Sequence, residues 1–90
     1  MHVVTPAETS ALADARGYAL ANRVVISQHA RRRMEERGVE PEDVYSALLG
    51  ARLCTSDTRG GWRVSGADRS GDVLTVVIRI TSGVLVVTVF

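Results

Sequence analysis

The sequence predicts an α+β domain: two to three N-terminal helices packed on a C-terminal, mainly antiparallel sheet of three to four strands. Three observations carry this. Helix start and stop signals crowd residues 5–50. The apolar period changes from helical to alternating after Gly50. The last two apolar runs are joined by Thr81-Ser82-Gly83, a tight hairpin connection. With 90 residues the chain is expected to form one domain, helical over 5–50 and sheet over 52–90.

Each element has its own signal. Thr5-Pro6-Ala7-Glu8 starts the first helix, with Thr5 as N-cap, Pro6 in the first position and Glu8 closing a capping box. Leu12, Ala15, Tyr18 and Ala19 then supply the apolar stripe of residues 6–21. Val24-Val25-Ile26 is short and β-branched, so it reads as a connector or a very short strand. Ser27 and Gly38 bracket a second helix over 28–37. Pro41 opens a third, whose acids Glu42 and Asp43 suit the positive end of the helix dipole, and Gly50 ends it. Strands are expected over 52–55, 62–67, 73–80 and 84–90, with a polar loop over 56–61 and a turn at 68–72. The run Val84–Phe90 carries no charge, so as an edge strand it would invite pairing with another chain or a second copy.

Composition excludes several classes. Hydrophobic residues make up 46% and charged residues 23%, which suits a folded domain and not a disordered one. No apolar run approaches the roughly 20 residues of a membrane helix, and no secretory signal pattern opens the chain. Cys54 is the only cysteine, which rules out an internal disulfide framework or a multi-cysteine zinc site and suits a cytoplasmic setting. No carboxylate cluster has ligand spacing, so neither metal nor cofactor is expected.

The cations are the distinctive feature. All eleven basic residues are arginine, a planar fork suited to phosphate or carboxylate. They are segregated. Residues 29–37 hold four Arg against two Glu, residues 38–50 hold three acids and no base, and residues 51–69 hold four Arg against two Asp. On the second helix, at 100° per residue, Arg33 lies about 40° and Arg37 about 80° from His29. This stripe borders the apolar Ala30–Met34 stripe, while Arg31, Arg32 and Glu35 point to solvent. A histidine can move protons near neutral pH, and an adjacent arginine can neutralise charge growing on a phosphate. Such a pair suits phosphodiester cleavage with a ribose 2′-hydroxyl as nucleophile, which needs no metal. The plainer reading pairs Arg33 and Arg37 with Glu36, Glu40, Glu42 or Asp43 and leaves His29 at the edge of the core. Cys54 reads as a core residue and Trp62 as a packing anchor, although Trp62-Arg63 beside Arg59 can meet a nucleotide. Arg79 faces either solvent or the open side of the sheet.

Ile26-Ser27-x-His29-Ala30-x-x-Arg33-Met34-x-x-Arg37-Gly38-Val39, followed by Glu42-Asp43-Val44 and a helix ending at Gly50, resembles a bacterial family of unassigned function with the signature His-Ala-x-x-Arg-Met-x-x-Arg-Gly. Its members resemble MqsR-type toxins and, more distantly, RelE and BrnT toxins. The Gly61-Trp62-Arg63 strand start and the closing Gly83–Val87 strand follow the order of MqsR-type toxins. The resemblance implies a RelE/MqsR-like fold and the toxin role of a toxin–antitoxin pair. It also implies an mRNA-cleaving endoribonuclease, acting in some relatives at the ribosome, and an antitoxin partner that is commonly zinc-binding with a helix-turn-helix. In that reading His29 is the general acid or base. Arg33 and Arg63 neutralise the scissile phosphate, Arg63 standing where those toxins place an active-site Gln. Arg37, Arg59 and Arg79 bind substrate. The toxins' Tyr falls near Thr75 and their late Lys at or beyond Phe90, in a chain without lysine. These differences define the alternative: a non-catalytic module of the same fold that binds a partner protein or RNA through its arginine-rich helix.

Overall fold

The structure, a computed structural model, describes residues 4–58 and 60–90. Its elements run α1 (Pro6–Leu20), β1 (Val24–Ile26), α2 (Gln28–Arg37), α3 (Pro41–Leu49), β2 (Leu53–Ser56), β3 (Trp62–Ala67), β4 (Val73–Ile80) and β5 (Val84–Val89). The α+β class matches the sequence reading, although the expected helical part, residues 5–50, also contains the strand β1. The sheet does not have three to four strands: it has five, in the order β1-β5-β4-β3-β2, and it is mixed. The additional strand is Val24–Ile26, which pairs parallel to β5 with Val24 opposite Val84 and Ile26 opposite Val86. The other three pairings are antiparallel.

That addition corrects a second expectation. β5 lies between β1 and β4, so it is an interior strand and not an edge open to another chain. Its lack of charge follows from burial. Val84, Val86 and Val89 are among the most buried side chains, as expected for a strand with neighbours on both sides.

The helix signals act as read. Thr5 Oγ1 accepts from the Glu8 amide at 3.2 Å, and Glu8 Oε1 accepts from the Thr5 amide at 2.9 Å, which closes the capping box. The buried stripe of α1 is Ala11, Ala15 and Ala19, with Leu12 and Tyr18 only half-buried. Alanines four apart let α1 approach α3 and β2 closely, a use of small residues that a search for bulky apolar positions passes over. Arg16 then donates from Nε to the Ala51 carbonyl at 3.1 Å, and from Nη2 to the same oxygen. α3 presses on β3 so tightly that a methyl group at Gly66 would run into the Ala47 carbonyl. At the start of α3, the Glu40 amide donates to Asp43 Oδ2 at 3.0 Å. Arg69, in the β3–β4 turn, donates its backbone N–H and Nε to Asp43 Oδ1 at 3.2 and 3.0 Å. The Arg69 hydrogen bond, aided by the Glu40 amide, lowers the Asp43 pKa to about 2.

Strand alternation divides the sheet into two faces. One carries Val64, Val76, Ile78, Val84 and Val86, all buried in the core shared with the helices. The other carries Arg63, Ser65, Thr75, Val77 and Arg79. Among the described residues, no helix is long and apolar enough to cross a membrane.

Candidate functional site

The site lies on the second face, where α2 meets β5. Ser27 fixes that junction with three hydrogen bonds. Its amide donates to the Val86 carbonyl at 3.0 Å, its hydroxyl donates to the Val87 carbonyl at 3.1 Å, and the same hydroxyl accepts from the Ala30 amide at 3.0 Å. The helix cap is therefore also a strap to the sheet. β5 is irregular at this point: Ile78 pairs with Val86 and Val77 with Thr88, which leaves Val87 as a bulge. The Val87 carbonyl is the one that Ser27 binds, so the unpaired residue and the helix start satisfy one another.

Two residues beyond the cap, His29 is exposed and lines a cavity of about 180 Å³ with Asp57, Gly60, Val77, Arg79, Val87 and Thr88. His29 and Arg79 are fifty positions apart in the chain, and the fold brings them to one opening. Arg79 forms no ion pair with another described residue. The first turn of α2, where the helix dipole is positive, borders the same opening, and this position favours an anion. Thr88, itself buried, adds a hydroxyl.

Arg63 joins the site through Asp57. Its Nη2 lies 3.3 Å from Asp57 Oδ1, whose side chain is 1% exposed. Its guanidinium also sits 5.0 Å from the centre of the Phe90 ring, within cation–π range. Asp57 thus keeps Arg63 over Phe90 while Arg63 offsets the carboxylate in the cavity wall. The loop is brought against β4 at Gly61, where φ is +81° and a Cβ would meet the Ile78 carbonyl.

The remaining expected residues lie elsewhere. Arg33 is one turn beyond His29 and pairs with Glu36 at 3.5 Å, as the plainer reading of the helix allowed, and it does not line the cavity. Arg37 is exposed a further turn away, so His29, Arg33 and Arg37 form a track leading from the cavity rather than a cluster within it. Arg59 lies outside the described residues. Cys54 is buried, and burial, with the charge of Glu8, raises its thiol pKa to about 11. Among the described residues, no three His, Cys, Asp or Glu side chains are grouped to hold a metal ion. Sequence reasoning missed Asp57 and Thr88. Asp57 sat in a loop that read as solvated, and Thr88 in a run that read as uniformly apolar.

The fold and site define a class: a small α+β protein with a cleft lined by His29, Asp57 and Arg79 on the side of its sheet that faces away from the core. The chain belongs to the family described as Domain of unknown function (DUF4258), whose model matches residues 26–90. The match begins in β1 and includes every residue of the cleft, and leaves α1 outside it. No curated protein and no solved structure matches the chain.

Proposed function

We propose that the protein is a metal-independent endoribonuclease of the RelE/MqsR type, acting on mRNA as the toxin of a toxin–antitoxin pair in the cytoplasm. The observation that carries this reading is the convergence, on one cavity bordered by a helix N-terminus, of His29 and of Arg79, which has no ion pair among the described residues. A phosphodiester placed there meets a cation, a favourable dipole and a proton-transfer group together. His29 either takes the proton from the ribose 2′-hydroxyl while water protonates the departing 5′-oxygen, or protonates that oxygen while water accepts the 2′-hydroxyl proton. The 2′-oxygen bonds to phosphorus as the P–O5′ bond breaks, leaving a 2′,3′-cyclic phosphate. Arg79 neutralises the pentacoordinate phosphate, with Arg63 held by Asp57 as the second cation. Arg33 and Arg37 extend a positive track for the RNA backbone. A cognate antitoxin would silence the enzyme by covering the cleft.

Incubating the purified protein with mixed RNA in EDTA tests the chemistry. Cleavage is expected with and without magnesium, with cyclic-phosphate ends. His29→Ala should lower the rate by about 10²–10⁴-fold, with the circular dichroism spectrum unchanged. Intact RNA under both conditions would move the assignment to the second reading, a non-catalytic binding module. One observation favours that reading: Thr75, near the position of the toxins' Tyr, has its hydroxyl 2.9 Å from that of Ser65.

A further inference from the structure

β1 is an outer strand of the sheet, with β5 on one side and no strand on the other. Val84 donates its amide to the Arg23 carbonyl at 2.9 Å, and Ser27 donates its amide to the Val86 carbonyl at 3.0 Å. The parallel ladder alternates, so Arg23, Val25 and Ser27 turn their main-chain groups toward β5. Val24 and Ile26 turn theirs the other way, and no described residue takes those N–H and C=O groups. The strand carries no charge, proline or bulge, the devices that commonly guard an edge.

A groove of about 430 Å³ runs beside this edge, lined by residues 22–25 and 81–85. That volume lies within the roughly 300–1,000 Å³ of ligand sites. Val25 and Leu85, opposite one another in the register, are 65% and 39% exposed, so the groove has an apolar wall open to solvent. Arg23 stands on the same side as Val25, two residues earlier. It is exposed and forms no ion pair with another described residue. None of the lining residues is acidic. An unpaired cation, an apolar wall and free main-chain groups together fit a ligand with a carboxylate, an apolar side chain and an extended peptide backbone. A nucleic-acid strand would meet the cation but has no amide ladder to offer the edge.

We propose that β1 is a docking edge for an extended segment of a partner protein, which adds antiparallel as a sixth strand and places a carboxylate at Arg23. One partner residue pairs with Val24 and another with Ile26, each exchanging both main-chain bonds. The residue between them stands opposite Val25 and sets its side chain against the apolar wall. Two positions further on, the residue opposite Arg23 points to the same face and carries the carboxylate. The segment therefore reads apolar-x-acidic from its N- to its C-terminal end. In such strand addition the main chain supplies affinity and alternate side chains supply specificity. The docking edge is independent of the phosphodiester reading, because its groove contains neither His29 nor Arg79.

The blocked peptide acetyl-Thr-Val-Thr-Leu-Thr-Glu-Thr-amide sets its Leu opposite Val25 and its Glu opposite Arg23. At about 1 mM or less it is expected to slow hydrogen exchange at the Val24 and Ile26 amides, read by NMR, and to leave the Val25 amide, already bonded to β5, unchanged. N-methylation of its third and fifth residues, which face Ile26 and Val24, should weaken binding about tenfold. Arg23→Glu, at an exposed position, should weaken it severalfold through like charges. Replacing the peptide's Glu by Lys should restore binding to that variant. No change at the Val24 and Ile26 amides would overturn the proposal. So would equal binding of the methylated peptide, or equal binding of the original peptide to Arg23→Glu. Slow exchange at both amides in the free protein, at the mass of two chains, would give the edge to a second copy and overturn it. An RNA oligonucleotide protecting these amides where the peptide does not would also overturn it.

Discussion

Ile78 and Arg79 are adjacent in the chain and belong to opposite worlds. Ile78 is fully buried beneath the helices, whereas Arg79 is exposed in the cleft wall. The same division runs through β3, where Val64 is buried and Arg63 is held by Asp57 over Phe90. One set of alternate residues fills the core shared with the helices, and the other sets the charged Arg63 and Arg79 around a buried Val77. The comparison teaches that β3 and β4 keep their charged side chains, Arg63 and Arg79, on the side of the sheet away from the helix-covered core. Substitution of the exposed Arg79 is expected to leave the chain folded.

The sharpest way to break that comparison is to truncate the two neighbours. Ile78→Ala should lower the unfolding free energy by about 2–5 kcal/mol in a denaturant titration, and Arg79→Ala by no more than about 0.5 kcal/mol. Equal losses would dissolve the distinction between the faces. Gly66→Ala, on the buried side, should cost about 1–3 kcal/mol because the new methyl must push β3 away from the Ala47 backbone. A wild-type melting curve for that variant would mean that α3 is not seated as described.

Smaller effects sharpen the picture. Asp43 has its pKa lowered to about 2 from a usual 3.8. A carboxylate lowered in this way adds stability that is complete above its unfolded pKa and is lost as pH falls through the folded value. Wild-type protein should therefore weaken as pH drops from about 5 to 2 more than Asp43→Asn does, and parallel urea midpoints would check it. Cys54, raised to about 11, should remain a thiol at neutral pH and react with a disulfide reagent only as the chain opens. Rapid labelling of the native protein would show that the core beneath β2 is looser than its packing implies.

Much of this was legible in the sequence because it was local. Caps and stops at Thr5, Ser27 and Gly38 fixed the helices, and alternation fixed β3 and β4 to the residue. What escaped was what depends on distant partners. Three residues, Val24–Ile26, are too few to show a period, and their place in the sheet is set by residues sixty positions later. The helical angles of α2 placed His29 beside Arg33, its neighbour in sequence. The fold instead presents it with Arg79, because the Ser27 strap and the bulge at Val87 decide which strand α2 starts against. Asp57 was invisible for a related reason: it is buried and paired with Arg63 only once the loop folds back through the Asp57 amide bond to the Gly61 carbonyl.

The parallel pairing of β1 with β5 has a consequence in time. A segment made early in synthesis finds its partner only when residues 84–86 have emerged. Until then the helices lack the strand on which α2 is anchored. Closing so long a loop is slow, and little contact energy offsets it before the final strand arrives. The nascent chain is therefore expected to fold in one late step, and the cleft between His29 and Arg79 exists only once that step is complete.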